Sequence, residues 1–232
     1  MRHFILVAGL LPGLSLAAET IPFSGEANVS WLKSTGSSAK ETFKGLVATK
    51  YLHGRWTHEL KLEGLNESDG ATGVRTSERY LAQEKSSWNF TERDYLFLKL
   101  QTEKDQQSSY DYQAFAALGY GHIFVKSDTL LVSSELGAGV RHNKDALSGY
   151  EDNEALGNAA LKAEWKFRPG ARVNEDVSVE MGEDSTVVRT RSALTFDLTS
   201  VLALSVAYET KRDDGPADLN DTQTSVGLNY RF

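Results

Sequence analysis

The chain of 232 residues contains no cysteine, so neither a disulfide nor a thiolate metal site can staple it in any compartment. Only 4 prolines occur, and no Pro/Ser-rich linker divides the sequence, so it reads as one domain. No segment beyond the N-terminus holds the 18 or so consecutive apolar residues of a spanning helix. No motif recurs at the roughly 20- to 50-residue period of a solenoid or propeller. Basic excess is missing as well. Lys and Arg number 25 against 32 Asp and Glu, a net charge of −7, and phosphate recognition wants the opposite sign, so no nucleic-acid partner is expected.

What is present begins with "MRHFILVAGLLPGLSLAAET". Arg2 and His3 precede an apolar core from Phe4 to Leu14, then small residues around Ala17 and Ala18. This is the layout of a cleavable secretory signal over 1–18, leaving a mature domain over 19–232. Loss of Arg2 puts the mature charge at about −8.

Period-two alternation then recurs throughout, while helical spacing is scarce. It predicts twelve strands, at 22–34, 41–53, 55–65, 76–89, 93–104, 110–122, 128–142, 154–168, 171–182, 186–199, 201–211 and 221–232. The connections alternate in kind. One set is short ("HGR", "TERD", "FVKSD", "RPGA", "LTSV"), and the other is mostly longer and polar ("NESDGATGVRTSE", "HNKDALSGYEDNE", "KRDDGPADLND"). A string of hairpins with two unlike ends is the pattern of an all-β, up-and-down antiparallel barrel. An even strand count brings both termini to the short-turn end, which in an outer-membrane barrel is periplasmic. The brief "GEDS" connection departs from the pattern and makes 171–190 the least secure boundary.

The two faces of each strand decide between a soluble and a transmembrane barrel. In 201–211, Leu202, Leu204, Val206 and Tyr208 alternate with Ala203, Ser205, Ala207 and Glu209. Aligned by topology, Phe23, Tyr51, Trp56, Trp88, Tyr95, Tyr120, Trp165, Phe196 and Tyr230 fall near the short-turn end. Trp31, Tyr80, Tyr112 and Tyr208 fall near the other end. Two aromatic bands with aliphatics between them are the girdles of a membrane barrel with its apolar face outward. In 93–104, Lys99 shares a face with Tyr95 and Phe97, so Leu96, Leu98 and Leu100 are assigned to lipid. Glu84 shares the outward face of Tyr80, Ala82 and Trp88, at a depth-dependent cost.

The opposite face then lines the bore. The first six strands contribute Glu26, Lys44, Lys61, Glu63, Lys85 and Lys99. The later strands contribute Glu135, Lys162, Glu164, Arg189, Arg191, Glu209 and Arg231. Charges of both signs in a narrow bore tend to pair across it. Twelve strands lie between the small side-chain-filled barrels and the wide water-filled porins of about sixteen. A small or closed channel is the expectation.

The signal segment, "FSGEANVSWLKSTGSS", "YDYQAFAALGYGH" and the terminal "TSVGLNYRF" together resemble the salt-induced outer-membrane protein family, a domain-of-unknown-function family of Gram-negative bacteria. The likeness covers essentially the whole mature chain and is carried by pattern more than by an invariant motif. It implies an outer-membrane location, contact with lipid and lipopolysaccharide, and a link to salt or envelope stress. The terminal alternation of Val226, Leu228, Tyr230 and Phe232 looks like the signal read by the barrel assembly machinery.

Chemistry is sparse. His142, close in sequence to Asp145 and Ser148, is the one constellation compatible with a membrane-embedded hydrolase, and its components are ordinary loop residues. No G-x-S-x-G, H-E-x-x-H or P-loop pattern occurs. The acidic groups Asp213, Asp214, Asp218 and Asp221, and Glu151, Asp152 and Glu154, lack EF-hand spacing. The reading is therefore a non-enzymatic envelope barrel without cofactor or metal, a narrow channel for ions or small solutes. Its rivals are the His142 hydrolase and a soluble, lipocalin-like periplasmic barrel binding an apolar ligand.

Overall fold

In a computed structural model, which describes residues 23–33, 40–70, 72–183, 185–215 and 219–232, twelve antiparallel strands close into one barrel. They are β1 (Phe23–Lys33), β2 (Lys40–His53), β3 (Trp56–Asp69), β4 (Arg75–Asn89), β5 (Asp94–Asp105), β6 (Tyr110–Lys126), β7 (Leu130–Asp145), β8 (Glu151–Arg168), β9 (Ala171–Met181), β10 (Thr186–Asp197), β11 (Leu202–Asp213) and β12 (Leu219–Arg231). Each strand pairs with its neighbours in sequence, and β1 pairs with β12, so every strand has two partners. The signal segment over 1–18 lies outside the described residues.

The seam between β1 and β12 runs from Glu26–Arg231 to Ser30–Gly227. Below it, Gly25 N donates to Phe232 O at 2.8 Å and Phe232 N donates to Gly25 O at 3.0 Å. A Cβ at Gly25 would strike the Phe232 ring at 2.5 Å, so the glycine provides the slot in which that ring sits. At the short-turn end, Gly54 and Gly170 take φ of 59° and 73°, backbone that a side chain would strain.

Alternation sorts the wall into two surfaces. Leu118 and Leu136 are 68% and 64% exposed outside, whereas Arg141 is 2% exposed inside. This is the reverse of a soluble barrel: the apolar side chains face outward and the charges are enclosed. A lipocalin-like reading needs an apolar interior and does not fit.

The structure corrects the sequence reading in two places. Leu96, Leu98 and Leu100 do face outward, which takes Tyr95 out of the aromatic ring. Its ring lies inside, where a Cβ at Gly121 would meet it at 2.1 Å, and Phe97 likewise occupies the space over Gly119. The strands β6, β7 and β8 run further than expected, so much of "HNKDALSGYEDNE" is paired strand (Lys144 with Glu151) and not loop. Polar residues can extend a hairpin above the apolar band because both faces are wet there. The connection after Met181 is short, and β9 and β10 end close to their expected bounds.

Candidate functional site: the charged bore

Of the bore residues expected from the sequence, all but Lys44 and Arg231 line cavities inside the barrel, and those two form ion pairs with Glu209 and Asp197. At mid-height Lys44 on β2 bridges Glu63 on β3 at 3.4 Å and also contacts Glu209 on β11. Lys61 lies 3.1 Å from Glu63, and Arg191 donates to Glu209 at 2.9 Å. Nearer the short-turn end, Lys85 donates to Glu135 at 2.6 Å and approaches Glu59 at 2.9 Å. At that rim Arg231 pairs with Asp197, while Arg172 bridges Asp197 at 3.4 Å and reaches Glu26 at 3.9 Å. Asn174 donates to Glu164 at 3.3 Å.

The remaining expected residues, Lys99 and Arg189, belong to a bar of charge that crosses the bore. Glu103 on β5 accepts from Lys211 on β11 at 2.7 Å and from Arg189 on β10 at 2.7 Å. Lys211 also holds Asp105 at 2.9 Å. Glu180 on β9 completes the bar, 3.2 Å from Arg189 and 3.5 Å from Lys99. In the twelve-strand ring β5 and β11 are diametrically opposite, so these pairs join facing walls. Glu103 and Lys211 are each 4% exposed. At such burial an uncompensated charge is costly, and Glu103 and Glu180 each meet two cations.

Two cavities flank a neck. One of about 330 Å³ occupies the middle of the bore, and one of about 260 Å³ opens toward the short turns. Lys85, Glu135, Lys162 and Asp176 line both, which makes them the neck between the two. Lys162 and Asp176 are cross-strand neighbours, yet neither forms an ion pair with a described residue. Tyr95 braces the neck by donating to Glu135 at 2.8 Å.

The long-loop end is closed differently. Arg141 donates through Nε to Glu154 at 2.7 Å and through Nη2 to Ser185 Oγ at 2.6 Å. Asn143 donates to Glu154 at 2.9 Å, and Gln113 to Asn143 at 2.9 Å. The short turn after β9 is thereby tied into the mouth of the barrel.

Sequence reading omitted Arg79, Glu103, Glu180, Lys211 and Arg141. Strand parity alone would have found them, since Lys211 alternates in step with Glu209 and Glu103 with Lys99. The pairing across the bore left no such signal.

His142 lies outside the bore, on the outward face of β7. Its Nδ1 is 3.0 Å from Asn153 Oδ1, and its ring packs against Tyr112. Asp145 is engaged in its own turn, accepting from Ser148 N and Oγ at 2.7 Å each and from Leu147 N at 3.1 Å. Those hydrogen bonds from Ser148 and Leu147 hold its carboxyl below the ordinary aspartate range. The structure therefore assembles a capped turn beside His142 and no nucleophile–base–acid relay. Asp213 accepts from Gly215 N in its own turn, Asp214 accepts from Thr186 N at the start of β10, and Asp218 lies outside the described residues. No cluster of potential metal ligands occurs among the described residues.

Comparison with known proteins places the architecture. Residues 27–232 match the family described as "Protein of unknown function, DUF481". The uncharacterized protein YdiY of Escherichia coli (strain K12) is 28% identical over 218 residues, spanning 90% of this chain and 83% of its own. Among solved structures, the NanC porin superposes with a TM-score of 0.57 at 8% identity, covering 90% of this chain and 98% of that one. The COG4313 outer membrane channel from Pseudomonas putida F1 gives 0.54 at 12% identity, covering 96% and 99%. At such identities the likeness is one of fold: a barrel of the outer-membrane, porin-like type.

Proposed function

The chain belongs to the DUF481 family, whose description assigns no activity, and we propose that it is a narrow outer-membrane channel for ions or small solutes. The observation that carries this reading is the pair of half-open cavities inside the barrel, rich in charged side chains, that meet at a neck of Lys85, Glu135, Lys162 and Asp176. A bore built only for rigidity would pair all of its charges, whereas Lys162 and Asp176 stand ready to exchange partners with a passing ion. The crossbar of Glu103, Lys211 and Arg189 makes the resting bore tight, so conduction is small and intermittent.

In this reading both termini are periplasmic, the outer wall meets lipid and lipopolysaccharide, and the assembly machinery reads Val226 to Phe232. The protein is non-enzymatic, and a part in salt or envelope stress follows from the family resemblance. Purified protein in a planar bilayer tests the proposal: small discrete current steps are expected, and a silent bilayer across salts and voltages overturns it. His142→Ala should leave any lipid or peptide hydrolysis unchanged.

A further inference from the structure

Beyond the bore, two carboxylic side chains, Glu84 and Glu175, stand on the lipid side of the wall, and Glu84 has an imidazole beside it. Glu84 on β4 faces outward, flanked in register by Leu60 on β3 and Leu100 on β5. Trp88 of the aromatic ring lies four residues nearer the short-turn end. With a rise of about 3.3 Å per residue and a strand tilt of about 40°, Glu84 sits about 10 Å inside the apolar band. An ionisable residue at that depth asks for a partner.

Part of the answer is local. Ser86 Oγ donates to Glu84 at 2.6 Å, and His58 Nδ1 is 2.7 Å from Ser86 Oγ and 3.8 Å from Glu84. Ser86 has one hydroxyl proton and gives it to the carboxylate, so Nδ1 of His58 is the donor to Ser86. That order, acid–serine–imidazole, is useless for nucleophilic attack, because the serine proton is directed to the acid and away from the base. It is a binding arrangement. His58 Nε2 has no hydrogen-bond partner among the described residues.

The surroundings are shaped for close approach. Glu84 lines an outward-facing hollow of about 470 Å³ together with Ala82, Ala114, Ala116 and Thr102. Small side chains let a second wall come near, and polar groups between packed membrane segments hold it there. Glu175 on β9, on the far side of the barrel, is bonded by Ser192 and has no imidazole beside it.

We propose that the outer wall of β3–β6 is the contact face of a homodimer, two copies related by a two-fold axis along the membrane normal. A second copy is singled out because the patch is self-complementary. It carries both an acceptor, Glu84, and, two residues nearer the short turns, a donor ring, His58, whose Nδ1 lies 3.8 Å from that carboxylate, so the two-fold can bring each His58 to the other copy's Glu84. Hydrocarbon tails can satisfy neither group. In the low dielectric between the walls such hydrogen bonds gain strength.

The absence of native cysteine makes the test clean. Ala82→Cys, treated in native membranes with a short thiol–thiol crosslinker, should convert most of the protein to a crosslinked pair, while Val206→Cys on the opposite wall should not. Wild-type protein in lipid nanodiscs should have the mass of two chains, and Glu84→Leu combined with Ser86→Ala should return one. A single-chain mass for the wild type, equal crosslinking at Val206→Cys, or a dimer that survives the double substitution would overturn the proposal. Conductance is recorded separately on the same samples, so a failed dimer leaves the channel reading standing.

Discussion

The crossbar and the neck are built from the same side-chain types at different heights of one bore, yet they solve different problems. In the crossbar, Glu103 is held by both Lys211 and Arg189, and Lys211 is held by both Glu103 and Asp105. In the neck, Lys85 and Glu135 pair at 2.6 Å while Lys162 and Asp176 remain without ion pairs among the described residues. Doubly held charges are fixed, because releasing any one of them strands a buried partner. Charges with no fixed partner can respond to whatever enters. In the channel proposed above, closure and selectivity would fall to separate layers.

Breaking the crossbar should have the largest effect. Glu103→Ala removes the buried carboxylate shared by Lys211 and Arg189 and leaves each cation one partner, and the expected loss is about 3 kcal/mol of stability, measured by urea unfolding in lipid vesicles, together with more frequent opening in a planar bilayer. Adding Lys211→Met should add to the loss, because the buried Asp105 then loses its ion pair as well. The neck should respond less in stability. Tyr95→Phe removes one hydrogen bond to Glu135 and should cost about 1 kcal/mol by the same unfolding measurement. The smallest stability effect, within about 0.5 kcal/mol, is expected for Lys162→Gln, which neutralises an exposed side chain without placing a like charge opposite Asp176. Its effect belongs to transport: the reversal potential under a salt gradient should move toward cation preference. A large stability loss at Lys162 or an unaltered reversal potential would erase the distinction between the layers.

How much of this was legible in the sequence differs between wall and bore. Strand parity is a local property, and it placed Lys44, Arg189 and Glu209 inside and the β5 leucines outside, because one residue of slip would turn every side chain over. Tyr95 misled because β5 is apolar on both faces. The decisive signal lay on the neighbouring strand, where Gly119 and Gly121 leave a hollow that the inward rings fill. The crossbar was illegible for a different reason. Glu103 and Lys211 meet only after the ring has closed, and no spacing within either strand encodes the encounter.

The narrow seam has a consequence for how the chain reaches its final shape. Every other strand pair joins sequence neighbours, so each hairpin can form with short loops to close. The seam joins positions roughly 200 residues apart, such as Ser30 and Gly227, and its closure bears nearly the whole long-range entropy of the fold. It is therefore the step that waits for all the others. The Gly25 slot and the Phe232 ring would then act as a latch that sets once, after eleven hairpins are in place, and the rate of that final docking should govern the rate of assembly.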